Sequence, residues 1–423
     1  MTGARADLLS LTDERKRNVV EKVSPLTRET RWLVLTFAGS TTAGAIASTF
    51  VNLFVFVVSG KLSDLALFNG AYFFSLSFVF YLTGYVFRRS SPLVPYRWGL
   101  VLTAAFYGVL LLLLHHASHY ILWLGLLQGV SQGFFWFGAN LMTFDTVQPE
   151  QRIRFYSINS AVGSVAGILG PLMGGAVVGL MHGLKGYLLV FALALAVYAV
   201  TFAVSFSIPE GPPLGNEPLS LSFSLHRIMP LWREAMETLA VRGTREAMTG
   251  LAGVFLVYIA THSALVVGVY SSVSAVMRMT GALLVSRIVS RDRRTWSMWW
   301  GVAGMTAGAL FLFLMGVSWI FVFVYAVVAS FSMPWFTVPN EAIPLDVMDR
   351  DPNVKHRRVA FMLSREMSLN AGRLFSMAIL MGLYAIDNRP TMLVVMVVAT
   401  SLSQGFVARM GAHIWQMLRR APL

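Results

Sequence analysis

Two stretches decide the fold: FWFGANLMTFDTVQPEQRIRFYS, residues 135–157, and PWFTVPNEAIPLDVMDRDPNVKHRRVAFML, residues 334–363. Each sets an aromatic pair, Trp136-Phe137 or Trp335-Phe336, ahead of an asparagine and then an acidic residue, Asp145 or Asp346. A short acidic-to-basic loop follows in both, and the next apolar run begins. A second match lies upstream, where Arg88-Arg89 and the run Arg287 to Arg294 occupy corresponding loops. Two matches at one offset argue for duplicated halves. The join between them is the longest polar connection, residues 208–246. It opens with Pro, Gly and Asn and continues as an amphipathic, mixed-charge stretch.

Composition says where such a chain resides. The 423 residues are 56% hydrophobic and 13% charged, with mean hydropathy +0.65. A soluble domain carries about a quarter charged residues, so the chain reads as an all-α, polytopic membrane protein. Twelve runs approach the ~20 residues that cross ~30 Å of hydrocarbon. Their approximate limits are 32–58, 66–87, 98–115, 118–144, 156–181, 186–207, 244–261, 264–287, 296–316, 318–341, 358–386 and 391–412. From Gly250 to Val289 no solvated loop intervenes, and a break near Thr261-His262-Ser263 is needed to give two spans of proper length. The expected organisation is a cytoplasmic tail 1–31, a six-helix bundle 32–207, a cytoplasmic linker 208–245, a second six-helix bundle 246–412 and a cytoplasmic tail 413–423. The first thirty residues hold no apolar run of signal-peptide type, so the first span is expected to act as an uncleaved anchor.

Charge orients the spans. Of 33 Lys and Arg, Lys61, Lys185 and Arg389 fall in loops on one side and Arg278, Arg365 and Arg373 well inside spans; the rest lie in segments, or within about a turn of span ends, on the side of the termini. The positive-inside rule then places both termini in the cytoplasm, at a plasma membrane. The net charge of +13 is thereby a matter of topology, and no nucleic-acid partner is expected. Cysteine is absent, which excludes disulfides, thiol catalysis and cysteine-ligated metals. There is no P-loop, nucleotide-binding glycine turn or paired-histidine metal helix. No enzyme activity, cofactor or metal is therefore expected, and an ATP-driven pump is disfavoured.

Ionisable groups deep in a membrane are costly and mark functional candidates. Arg278 and Arg373 fall near the midplane at ~1.5 Å of rise per residue, and Arg365 and Glu366 lie nearer the cytoplasmic face. Glu366, Asn370 and Arg373 recur at i, i+4 and i+7, one stripe of a helix. The stripe reads either as the wall of an aqueous cavity or as an inter-helix network, for instance Arg365 with Asp145 or Glu341. In the first half the polar groups are neutral, among them Asn52 and Asn140. Trp136 and Trp335 at the mouth offer apolar contact to a substrate, or interfacial anchoring. Arginine's planar fork suits carboxylate or phosphate. The substrate-binding set is then Arg278, Arg373, Asn370, Asn52, Asn140, Trp136 and Trp335; Glu366, Arg365, Asp145 and Glu341 form the coupling and gating set.

At this point the chain resembles the major facilitator superfamily over essentially its full length. The six-plus-six layout, the basic loops after spans two and eight, and GILGPLMGG at 167–175 carry the resemblance. Within that run Gly170, Pro171, Gly174 and Gly175 match the family's antiporter motif, while Ala166 stands where the longer motif has glycine; glycines there also let helices pack closely. In the loop after span two Gly84 and Arg89 fit the family pattern. Arg88 replaces its aspartate and Ser91 its glycine, so the usual charge-relay gate is not carried over. The run NLMTFDT and the later REMSLNAGR look like a branch of Gram-positive bacterial permeases. The resemblance implies alternating access between two halves and a monomer moving a small-molecule substrate. The expected function is proton-coupled export of a small amphipathic or anionic compound. The alternatives are a flippase for a lipid-linked anion and a non-transporting receptor or scaffold on the same fold.

Overall fold

The computed structural model describes residues 26–147, 151–181, 183–211, 213, 220–387 and 389–420. The N-terminal tail therefore lies outside the described residues as far as position 25. Thirteen α-helices account for nearly everything described, with no strand among them. The first half holds α1 (Arg28–Ser59), α2 (Leu62–Val86), α3 (Leu93–Leu113), α4 (Ile121–Thr146), α5 (Arg152–Leu180) and α6 (Lys185–Ser205). A short α7 (Ser220–Ile228) crosses to the second half. That half holds α8 (Pro230–Thr261), α9 (Ala264–Ile288), α10 (Arg294–Met315), α11 (Trp319–Met348), α12 (Val354–Ile386) and α13 (Thr391–Arg420). Ten of the twelve long helices are long and apolar enough to cross a membrane. The other two, α4 and α8, interrupt their apolar runs with Gln128, Gln132 and Asn140 in one and Arg242, Arg245 and Glu246 in the other.

The break expected near Thr261-His262-Ser263 is present, and its chemistry is local. His262 caps α8 in the left-handed region, φ 49°, with its N–H on the Tyr258 carbonyl. Ser263 then starts α9 by accepting from the Val266 N–H. The start of α8 is a different matter. Hydropathy places the seventh span at 244–261, yet the helix begins at Pro230, with proline in the first turn where no intrahelical N–H is needed. Residues 230–245 of the expected linker are thus helical and continuous with the span. Polar side chains lower hydropathy without weakening a helix, so the helix starts about four turns before the hydropathy limit.

The halves meet along two helix pairs, α2 with α12 and α5 with α9. Each pair is the image of the other under exchange of the six-helix units. At the end of the bundle opposite the termini, Phe56 of α1 packs edge-on against Phe255 and Tyr258 of α8, with centroids 5.5 and 6.1 Å apart. At the end carrying the termini, Phe80, Phe137 and Leu141 of the first half form one buried cluster with Val359 and Leu363 of α12. Between spans there is no hydrophobic drive in lipid, so close packing and hydrogen bonds hold the helices. The α5–α9 seam shows how. A Cβ on Gly175 would lie 2.8 Å from the Ala264 carbonyl and 2.9 Å from the Gly268 Cα. Ser272 of α9 also donates to the Ile168 carbonyl, 2.6 Å away, beside the backbone that Pro171 disrupts. Ser297 of α10 does the same for α11, donating at 2.7 Å to the Trp335 carbonyl that Pro339 leaves without a helical partner.

Replacing Gly175 by Leu forces two backbones apart. Overpacking of this kind costs about 1–3 kcal/mol. A thermal melt of the detergent-solubilised protein is expected to show a clearly lowered midpoint for Gly175→Leu. Gly250→Ala, where nothing lies within 4 Å of an added Cβ, is expected to leave the midpoint unchanged.

Candidate transport cavity

Two adjoining cavities occupy the space between the halves and share Ser48 and Gly250 on their walls. The larger, about 580 Å³, is lined by Asn52 of α1, Tyr72 of α2, Trp136 and Asn140 of α4, and residues of α8 and α12. The smaller, about 270 Å³, lies among α1, α5, α8, α9 and α11.

Charge is distributed unequally between them. In the larger cavity Glu246 of α8 accepts from Arg373 at 2.7 Å and from Arg242 at 2.7 Å. Arg242 also reaches Glu341 of α11 at 2.9 Å. Arg373 donates its other arm to Asn370 at 2.9 Å, and its guanidinium stands 5.5 Å from the Phe73 ring centre. Arg373 is therefore neutralised. Asn370 is fully buried, and its amide donates to the Glu366 backbone carbonyl rather than to the Glu366 carboxylate. No bridge runs from the Glu366 carboxylate through Asn370 to Arg373; Arg373 makes a cross-helix pair instead. The physical reason is reach: seven residues on one helix span ~10 Å, while α8 brings a carboxylate directly alongside.

Arg365 and Glu366 both line the larger cavity, half-buried, with no ion pair among the described residues. Neither Asp145 nor Glu341 joins Arg365; Asp145 is held by Arg358 and Glu341 by Arg242. On the first-half wall Asn52 accepts from Asn69 at 2.9 Å, tying α1 to α2.

The smaller cavity is cationic. Arg278 of α9 and Arg245 of α8 line it together with Tyr270 and Tyr325, and no carboxylate is on its wall. Arg245 is 5% exposed and its Nε has no hydrogen-bond partner. Arg278 is open to the cavity and has no ion pair among the described residues. Arg242, Arg245 and Glu246 fall at or just outside the limit that hydropathy sets for the seventh span, and for that reason the sequence reading passes over them. The signal was there: Arg242 and Glu246 at i, i+4 continue the helical register of the apolar run.

The remaining expected residues divide. Asp145 sits at the terminal end of α4 and pairs with Arg358, the first turns of α12, across the two halves. Its repeat partner Asp346 instead pairs with Arg294 of α10 inside its own half. Trp335 does not face the transport cavities but lies on the outer side of α10 and α11. Trp136 stands nine residues before Asp145 and Trp335 eleven before Asp346. Two residues turn a helix by ~200°, so the two tryptophans point to different faces. In the antiporter-like run Gly170 abuts Ala45 and Gly174 abuts Ile46 and Phe50, all of α1, while Gly175 abuts α9. Pro171 lines the smaller cavity.

Protonating or removing the Glu246 carboxylate strands the Arg373 guanidinium and leaves Arg242 to Glu341 alone. Breaking a buried ion pair costs about 3–5 kcal/mol, and partial exposure puts Glu246→Gln toward the lower end of that range. Glu366→Gln removes no partner, so its melting midpoint is expected to stay within a degree or two of wild type. Asp145→Asn breaks a pair at least as buried, so it is expected to lower the melting midpoint as well, and to widen the α4–α12 distance at the terminal end, as read by spin-label pairs. Because the chain has no cysteine, labelling is free of background: Asn52→Cys is expected to react with a small aqueous maleimide and Asn370→Cys to stay protected.

The chain has known relatives. Residues 33–350 match the model of the Major Facilitator Superfamily. The protein YqgE of Bacillus subtilis (strain 168) is 29% identical over 344 residues, covering 81% of this chain and 80% of that protein. A Geobacillus stearothermophilus protein encoded in the sodM 3' region is 34% identical over 108 residues, covering 26% of this chain and 50% of that protein. Among solved structures, a bacterial homologue of the human lysosomal transporter Spinster superposes with a TM-score of 0.64 at 15% identity, covering 93% of this chain and 97% of that one. The nucleoside transporter NupG superposes at 0.67 with 11% identity, covering 92% of this chain and 100% of that one. A bacterial homologue of the iron transporter ferroportin, in its inward-facing state, gives 0.65 at 13% identity, covering 93% of this chain and 100% of that one. At such identities the superpositions speak for the fold alone, while the family model covers most of the sequence. The chain belongs to the Major Facilitator Superfamily and is a multi-pass membrane transporter, not an enzyme.

Proposed function

We propose that the protein is a proton-coupled exporter of a small amphipathic organic anion, acting as a monomer in the plasma membrane with both termini in the cytoplasm. The observation that carries the reading is the pair Arg245 and Arg278 on one cavity wall without a carboxylate. Two guanidinium groups kept near the middle of a membrane protein are costly unless an anion completes them. Their planar donors match a carboxylate, sulfonate or phosphate. Trp136, Tyr72 and Phe73 on the wall of the adjoining cavity suit an apolar body attached to that anionic group. Arg373, which the sequence alone ranks beside Arg278, has a structural part in this reading, because Glu246 already satisfies it.

Proton coupling is assigned to Glu366. It is the carboxylate on the larger cavity's wall that has no cation partner among the described residues, so it gains and loses a proton without stranding a charge. Glu246 cannot do so, since its proton would leave Arg373 uncompensated and Arg242 with Glu341 alone. Export is supported by the α5 run Gly170 to Gly175, which resembles the family's antiporter motif and lies in the seam between α1 and α9. The cytoplasmic placement of the termini rests on the excess of Lys and Arg at that end.

Transport into proteoliposomes under an imposed proton gradient, screened over amphipathic anions, cations and neutral compounds, tests the reading. An anion is expected to be moved, with Arg245→Gln and Arg278→Gln each lowering apparent affinity at least about tenfold, the scale of a lost charge-assisted contact. Glu366→Gln is expected to retain exchange of labelled for unlabelled substrate while losing its response to the gradient. Undiminished anion transport in both arginine variants sinks the anion site.

A further inference from the structure

A third cavity lies away from the transport path. On their outer side α10 and α11 leave a groove of about 580 Å³, walled by Trp296, Trp300, Phe331 and Trp335 and floored by Ala303 and Ala307. Its volume and aromatic lining are those of a ligand pocket. It exists because the two helices nearly touch beneath it: Gly304 faces the Ser332 side chain with no room for a Cβ. Trp296 meets Trp300 and Trp335 edge to face, centroids 5.9 and 6.2 Å apart. Trp296 and Trp300 are 47% and 60% exposed. On the outer side of a membrane-spanning bundle that exposure faces lipid, and what fills the groove is an acyl chain.

The headgroup is specified at the groove's lower end. Trp296 lies in the first turn of α10, at the level where indole rings meet the interface. Arg293 precedes it by three residues and is exposed. Arg287, also exposed, lies in the last turn of α9, six residues beyond Gly281, which abuts the Phe331 carbonyl. Six residues carry it about 9 Å from that contact toward the terminal end. Neither arginine has an ion pair among the described residues, and the neighbouring acids are already engaged, Asp292 by Arg419 and Asp346 by Arg294. A chain-sized apolar groove thus ends beside two uncompensated cations.

We propose that this groove is a binding site for one anionic phospholipid, with an acyl chain between Trp296, Trp300 and Trp335 and the headgroup phosphate met by Arg287 and Arg293. The site is independent of the transport cavities and of the substrate they take.

The test is native mass spectrometry of the full-length protein, delipidated in a neutral detergent and titrated with phosphatidylglycerol or with phosphatidylcholine of the same chains. One phosphatidylglycerol is expected to be retained roughly tenfold better than phosphatidylcholine, as two basic side chains at a membrane surface allow. Ala307→Trp, which fills the groove, is expected to abolish the retained lipid; Ala303→Leu serves if the tryptophan variant fails to give a monodisperse, cooperatively melting protein. The double change Arg287→Gln with Arg293→Gln is expected to bring phosphatidylglycerol down to the phosphatidylcholine level. Equal retention of the two lipids by wild type, or a preference that survives either groove filling or loss of the arginines, overturns the proposal.

Discussion

The carboxylate of Glu246, held between Arg242 and Arg373, organises the second half of the molecule. It fastens α8 to α12 where those helices are in closest contact, at Gly243 and Gly372, each with the other helix's backbone where a Cβ would stand. A charge cluster in a membrane interior is tolerable only if it is compensated and hydrogen-bonded. Asn370 completes it by accepting from Arg373, and Glu341 draws in α11 through Arg242. With one acid committed to two arginines, the accounting of the remaining charges follows. Among the described residues Arg245 and Arg278 are left without a paired carboxylate, and Glu366 without a paired cation.

This division gives the two cavities different chemistry although they adjoin. One wall is a cationic recess with tyrosines, and the other carries an unpaired acid among aromatic and amide side chains. Fixed charges that are satisfied within the protein build the frame. Those left over are free to exchange with a ligand or a proton. The same logic separates the two repeat-related aspartates. Asp346 staples α10 to α11 inside one half, whereas Asp145 reaches across to Arg358. A duplicated sequence element has thereby become a pair within one half and a contact between the two halves in the other. In the first half the arginine at the start of the corresponding helix, Arg97, instead donates to the Ser205 carbonyl and approaches Glu210, which leaves Asp145 available.

The glycines of α5 serve close packing against both halves. Gly170 and Gly174 let α5 press against α1, and Gly175 lets it press against α9 across the seam. A helix that contacts both halves through backbone rather than side chains can shift without unlocking interdigitated side chains. Ser297 shows the complementary device, in which a hydroxyl from a neighbouring helix satisfies a carbonyl that a proline leaves free.

Much of this was written in the chain. Span number and the break at His262 followed from length and local capping, and the duplication from residues 135–157 and 334–363, because hydropathy, turn chemistry and repeats are properties of short windows. The positions of Arg278, Arg365, Glu366 and Arg373 inside spans were legible for the same reason. Pairing was not. Whether Arg373 is free or neutral depends on Glu246, more than a hundred residues away in sequence, and Arg242 lay beyond a hydropathy limit that polar side chains had moved, with Arg245 at its edge. The two tryptophans differ by a two-residue offset from their aspartates that is legible in the sequence, but what each face meets, the cavity or the groove, came only from the packing. Periodicity fixes which face of a helix a residue occupies; only tertiary packing decides what that face meets, and in a low-dielectric interior that partner determines whether a charge is part of the frame or free to bind.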